Sequence, residues 1–151
     1  MEKVFEVVFP FELRAHKSKK KAKLSEYKAD LATTISNHLQ VANTPTVQLR
    51  SLKTDFYHGT AYYFPPNNGK QVGDADNIAK PLWDSLEGVL YKDDRILQLR
   101  TAGVFTANEL YFDEEGEIDS SVLQQIQSLL KQDTGTVYIS IYKMSFSHLN
   151  F

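Results

Sequence analysis

Apolar and polar positions recur along this chain with two different periods, and the switches between those periods mark its elements. Residues 3–9 are dense in Val and Phe and stop at Pro10, as a strand does. From Ser25 the apolar residues Tyr27, Leu31, Ile35 and Leu39 return at every fourth position. That spacing predicts an amphipathic helix with Ser25 as its N-cap and an end near Gln40. Polar and apolar residues alternate over 46–50, and residues 60–64 are β-prone up to Pro65-Pro66, so the pair predicts a hairpin through His58-Gly59. Asn67-Asn68-Gly69 is a turn cluster. Ile78, Leu82, Leu86 and Val89 then line one face of a helix from about Asn77 to Gly88. Residues 96–105 read as a strand. Ser121-Val122-Leu123-Gln124 has capping-box spacing and opens a helix that turns Val122, Ile126, Leu129 and Leu130 inward. Residues 136–142 alternate cleanly, with Val137, Ile139 and Ile141 on one face and Tyr138, Ser140 and Tyr142 on the other, which is a final strand. Strands and helices mix without a regular βαβ repeat. The prediction is therefore an α+β fold: one domain over residues 1–151, holding a small mixed sheet of four to five strands with helices packed mainly on one face.

Composition narrows the function. Hydrophobic residues are 42% and charged residues 24% of the chain, ordinary proportions for a folded domain. No apolar run approaches the ~20 residues of a spanning helix. With Met1-Glu2-Lys3 leading into a short strand, the expectation is no membrane segment, no secretory signal and a cytoplasmic location. The absence of cysteine removes disulfides, thiolate nucleophiles and Cys-ligated zinc.

The net charge of -2 hides a segregation. A basic loop over residues 14–23 carries Arg14, Lys17, Lys19, Lys20, Lys21 and Lys23 with no carboxylate, and without it the chain holds 11 cations against 19 acids. Such a loop suits contact with DNA phosphates whatever their sequence. Glu109, Asp113, Glu114, Glu115, Glu117 and Asp119 form the opposite extreme. They belong to an acidic loop plus helix, residues 106–133, that reads as an insertion before the last strand.

The chemistry concentrates between residues 74 and 94, which hold six carboxylates. Asp74 and Asp76 are two apart just ahead of a helix, so in extended backbone both point the same way, toward its positive end. Hard oxygen ligands of this kind suit Mg²⁺, with Mn²⁺ as a possible substitute, beside a substrate phosphate. Asp94 completes such a site only if the chain returns toward the start of the helix. Lys80 lies four residues from both Asp76 and Asp84, which gives either an ion-pair ladder on the helix surface or a fixed cation beside the metal. An EF-hand beginning at Asp74 fails at Ile78, Ala79 and Ser85, and no glycine-rich nucleotide-binding loop exists, so no nucleotide cofactor is expected. His16, His38, His58 and His148 have no zinc-ligand spacing.

Asp74-Ala75-Asp76-Asn77 with Lys80, then Trp83-Asp84-Ser85-Leu86-Glu87-Gly88, then Tyr91-Lys92-Asp93-Asp94 ahead of a strand, closely resemble the core of RusA-type Holliday-junction resolvases. The resemblance implies a Mg²⁺-dependent endonuclease that acts as a homodimer on branched DNA, resolving a four-way junction by paired symmetric nicks in recombination and repair. It implies that Asp74, Asp76 and Asp94 hold the metal and that Lys80 is the catalytic cation. Asp93 and Asn77 would support those ligands from outside, and residues 14–23 would contact DNA. A junction has approximate two-fold symmetry, so two identical sites on one dimer suit two opposed nicks. Two alternatives stand beside this reading: a metal-dependent nuclease for other branched or single-stranded DNA, and a junction-binding protein whose carboxylates are structural.

Overall fold

The computed structural model describes residues 2–14, 21–41, 55–66, 74–105 and 118–145. Its strands are β1 (Glu2–Pro10), β2 (Asp55–Phe64), β3 (Leu97–Val104) and β4 (Thr136–Ser145), and its helices are α1 (Lys21–Val41), α2 (Ala75–Ser85) and α3 (Ser120–Lys131). The strands form one sheet in the order β1-β4-β2-β3. β4 pairs antiparallel with both β1 and β2, while β2 and β3 run parallel and are joined through α2. A parallel pair needs a crossover of that length, and this one carries the residues of interest from one end of the strands to the other.

The alternation in β4 explains its place. As a central strand it is buried on both faces from Thr136 to Ile141. Val137, Ile139 and Ile141 join Phe5, Val7 and Phe9 of β1 under α1 and α2, where Leu31, Ile35, Leu82 and Leu86 complete the main core. Tyr138 faces the other way, into a smaller cluster with Val8, Phe64 and Ile126, against which Val122, Leu129 and Leu130 of α3 pack. Two helices thus cover one face of the mixed sheet and α3 covers the other, an α+β fold of four strands. A polar network fixes the start of α3. The Tyr138 hydroxyl donates to Glu6 at 2.5 Å, Lys3 donates to the same carboxylate at 2.9 Å, and Lys3 also lies 3.7 Å from Asp119. Burial, then the hydrogen bond to Glu6, pushes the Tyr138 hydroxyl pKa up.

Several boundaries differ from the sequence expectation. α1 begins at Lys21, four residues before Ser25, because Lys and Ala are good helix formers and Leu24 adds to the apolar stripe. The last residues of the basic segment are therefore helical. α2 begins at Ala75 with Asp74 at the cap position, and Asp74 O accepts from Ile78 N at 3.0 Å, so Asn77 is inside the helix and is not its cap. α2 also ends at Ser85, whose hydroxyl donates to Leu82 O at 2.7 Å, and Gly88 falls in the turn beyond it. α3 is capped at Asp119, whose carbonyl accepts from Leu123 N, so Ser121 is inside the helix. The expected strand over 46–50 lies outside the described residues. Among the described residues, no helix is long and apolar enough to cross a membrane.

The hairpin through His58-Gly59 does not form, since β2 runs straight through both residues. Gly59 serves a close approach instead. A Cβ there would lie 3.0 Å from the Trp83 ring of α2 and 3.1 Å from Leu97 Cδ1. Gly59→Ala will therefore destabilise the protein by about 1–3 kcal/mol, read by denaturant unfolding, through overpacking under α2. An unchanged midpoint would show that the helix yields there without cost.

Candidate metal centre

The apolar face of α2 sets where its polar residues go. Ile78, Ala79, Leu82 and Trp83 are buried, which leaves Asp74, Asp76, Asn77 and Lys80 exposed. Asp76 stands in the first turn, where the positive end of the helix favours a carboxylate. Beyond the helix the chain reverses within a few residues. Leu90 N donates to Leu86 O at 2.9 Å and Gly88 N to Tyr91 O at 2.8 Å, with Gly88 at φ +83, a conformation that favours glycine. The Tyr91 hydroxyl donates to Trp83 O at 2.6 Å and locks the reversal onto the helix. Burial, then the charge of Asp94, holds the Tyr91 hydroxyl pKa well above its usual range.

This reversal returns Asp94 to the end of α2 and not to its beginning. Ligand atoms of Asp84, Glu87 and Asp94 lie within 4.8 Å of one another, and they are the group of three or more such side chains found among the described residues. Asp94 N donates to Glu87 Oε1 at 3.2 Å. The Asp94 carboxyl pKa is raised, first by burial and then by its hydrogen bond with Asp84, against the lowering effect of Arg100. Two cations flank the group: Lys28 of α1 is 3.1 Å from Asp84 and Arg100 of β3 is 3.6 Å from Asp94. Asp93 faces Arg95, accepting from its backbone N–H at 2.9 Å and from its guanidinium at 3.0 and 2.7 Å. Those hydrogen bonds hold the Asp93 carboxyl down to about 2.

Of the ligands expected from sequence, the structure thus places Asp94 in a carboxylate cluster and Asp74 and Asp76 elsewhere. Asp76 precedes Asp84 by eight helical residues, a separation of about 12 Å at the rise of an α-helix. Lys80 stands between the two ends, and Asp84 pairs with Lys28 across to α1 in place of the expected ladder along α2. Arg14 lies over the Tyr27 ring, 5.2 Å from its centroid, with its backbone N–H donating to the Tyr27 hydroxyl at 3.1 Å. Lys23 is exposed on α1, while Lys17, Lys19, Lys20 and the side chain of Lys21 lie outside the described residues. So do Glu109 to Glu117.

Sequence reasoning passed over Asp84 and Glu87 as candidate ligands, and over Lys28 and Arg100 as the cations beside Asp84 and Asp94. One signal was present: Asp84 and Glu87 are three apart at a helix end and so share a side, with Asp93-Asp94 close behind a glycine turn. The donor set consists of partly exposed carboxylate oxygens, the chemistry that holds a hard divalent cation.

No curated protein matches the chain closely enough to count as a relative. The family model for endodeoxyribonuclease RusA matches residues 11–109, which are 99 of the chain's 151 residues and include α1, α2, β2, β3 and every carboxylate from Asp74 to Asp94. The βαβ unit, the carboxylates at both ends of α2 and this match agree: the chain belongs to the RusA family and is an endodeoxyribonuclease of the kind that resolves Holliday junctions.

Proposed function

We propose that the chain resolves four-way DNA junctions by Mg²⁺-dependent hydrolysis, as a homodimer, in recombination and repair. The observation that carries the metal dependence is the convergence of Asp84, Glu87 and Asp94 in a chain of this family. Asp94 is where the resemblance and the geometry meet. When bound, Mg²⁺ would supply Lewis-acid charge at the scissile phosphate. Asp94, with Asp84 and Glu87, would hold it; Lys28 and Arg100 temper the repulsion among the three carboxylates. The resemblance assigns Asp74 and Asp76 to the metal as well and makes Lys80 the cation that offsets charge on the phosphate.

A single chain keeps the Asp74–Asp76 end of α2 apart from Asp94, so in this reading a second copy brings the two sets together. A mixture of Asp76→Asn and Asp94→Asn proteins tests that arrangement. Shared sites predict that co-assembled dimers recover cutting on one strand, since one of their two sites carries neither substitution. Recovery of nothing would assign each site to one chain. Comparing junctions with flaps, forks and single strands tests the substrate, and preferential cutting of any of the latter would overturn junction specificity.

The raised pKa of Asp94 gives the pH dependence a sign. A metal must displace the proton that Asp94 holds above the ordinary value of 3.8, so apparent metal affinity will rise with pH through that window and then level off. Titration calorimetry with Mn²⁺ at a series of pH values reads this directly. Affinity independent of pH from 3.8 upward would remove Asp94 from the ligands.

A further inference from the structure

We infer that Arg100 is a positioning residue for the metal site, holding Asp94 in place from β3. The inference rests on the reading above in which Asp94 is a metal ligand, and it goes beyond that reading by naming what orients the ligand. Arg100 makes three contacts with the segment that carries Asp94. Its Nη2 donates to Asp94 O at 2.6 Å, its Nε donates to Leu97 O at 3.1 Å, and its guanidinium lies 3.6 Å from the Asp94 carboxylate. The two carbonyls bracket the 3₁₀ turn Asp94–Ile96, so one planar fork fixes both ends of the turn. Lysine cannot reproduce that, because an ammonium is a point charge without the fork geometry.

The strand is built to aim Arg100 there. β2 and β3 pair Tyr57 with Leu97 but His58 with Leu99, which leaves Gln98 as an extra residue in β3. Leu97 and Tyr57 face the α2 side of the sheet, in the main core. Were Gln98 paired with His58 in unbroken register, the period of two would turn Arg100 to the opposite face. With the extra residue, Arg100 pairs with Gly59, whose missing side chain leaves the space that Trp83 and Leu97 fill, and the guanidinium comes out on the α2 side beside the carboxylates. Bulges are rare in parallel pairs and are over-represented at sheet edges, where β3 lies, and next to active sites, where they re-aim a side chain. The same shift turns Ala102 and Val104 onto the α2 side, where they pack against the main core, while the fork acts on Asp94.

The test separates geometry from charge. Removing a cation from beside three carboxylates would by itself tighten the binding of a divalent ion, so weaker binding reports lost orientation. Mn²⁺ binding by the full chain is measured by calorimetry for the wild type, Arg100→Ala and Arg100→Lys, with the folded fraction of each checked by thermal unfolding. Arg100→Lys keeps the charge and serves as the readout if the alanine variant unfolds. The expected result is a loss of about 10- to 100-fold in Mn²⁺ affinity for both folded variants, the range typical of groups that orient metal ligands. Cleavage by Arg100→Lys would need correspondingly more Mg²⁺ for half-maximal rate and approach the wild-type rate at saturation. Unchanged or tighter Mn²⁺ binding in the folded variants would overturn the positioning role. A wild-type protein that takes up no Mn²⁺ would instead overturn the metal reading, and this assignment with it.

Discussion

Asp94→Asn will lower Mg²⁺-supported cleavage of a four-way junction by roughly 10²–10³-fold, the scale of losing one electrostatic contact in the transition state. Asparagine keeps the size of the side chain and one oxygen but removes the charge that attracts the ion. The stability effect has the opposite sign. Burial and the adjoining Asp84 raise the Asp94 pKa, so its charged form is disfavoured in the folded protein at neutral pH. A neutral amide relieves that, and the thermal midpoint should hold or rise. Junction binding, measured without cleavage, should persist or strengthen as negative charge near phosphate falls. Cutting at the wild-type rate by this variant would exclude Asp94 from the chemistry. A protein that lost cutting and folding together would point to a structural role instead.

Replacing Lys19, Lys20 and Lys21 with Ala will make the salt dependence of junction binding shallower by about 0.9 in the log–log slope for each phosphate contact removed. The segment is flanked by Arg14, which is fixed on the Tyr27 ring, and by the start of α1. α1 is also the helix whose Lys28 reaches Asp84. Both flanks of the basic segment thus contact the helix whose Lys28 reaches Asp84. Binding titrations across a range of salt give the slope. A slope unchanged by the triple substitution would take these lysines out of the interface.

Much of the fold was legible because its elements are strongly periodic. The four-residue spacing in α1, the inward residues of α3 and the alternation in β4 each reflect burial against one known kind of surface. Errors came where a residue type has two uses. Gly59 looked like a turn because glycine is common in turns, yet it is a strand residue that admits Trp83, a neighbour 24 positions later that no local pattern announces. Ser25 and Ser121 looked like caps, but each helix begins before them, α1 by about a full turn, since nothing in either sequence forbids the extension. The site was legible in its chemistry and less so in its arrangement. The motif from Asp74 to Asp94 identifies the family correctly. Where Asp94 ends up depends on how tightly the chain reverses after Ser85, which is set by Gly88 and by the hydrogen bond from Tyr91 to Trp83. Arg100 was invisible for a related reason: a single inserted residue in β3 decides its face, and a bulge leaves no mark in the alternation of so short a strand.

Metal-dependent junction resolution is tested most directly by incubating the protein with an immobile four-way DNA junction and with its component duplexes, each with Mg²⁺ and with EDTA. Metal-dependent junction resolution predicts paired nicks, symmetrically placed on opposing strands, in the junction with Mg²⁺ alone. Cleavage that persists in EDTA would contradict the metal dependence, and equal cleavage of the duplexes, or a junction bound but never cut with either Mg²⁺ or Mn²⁺, would contradict junction resolution itself.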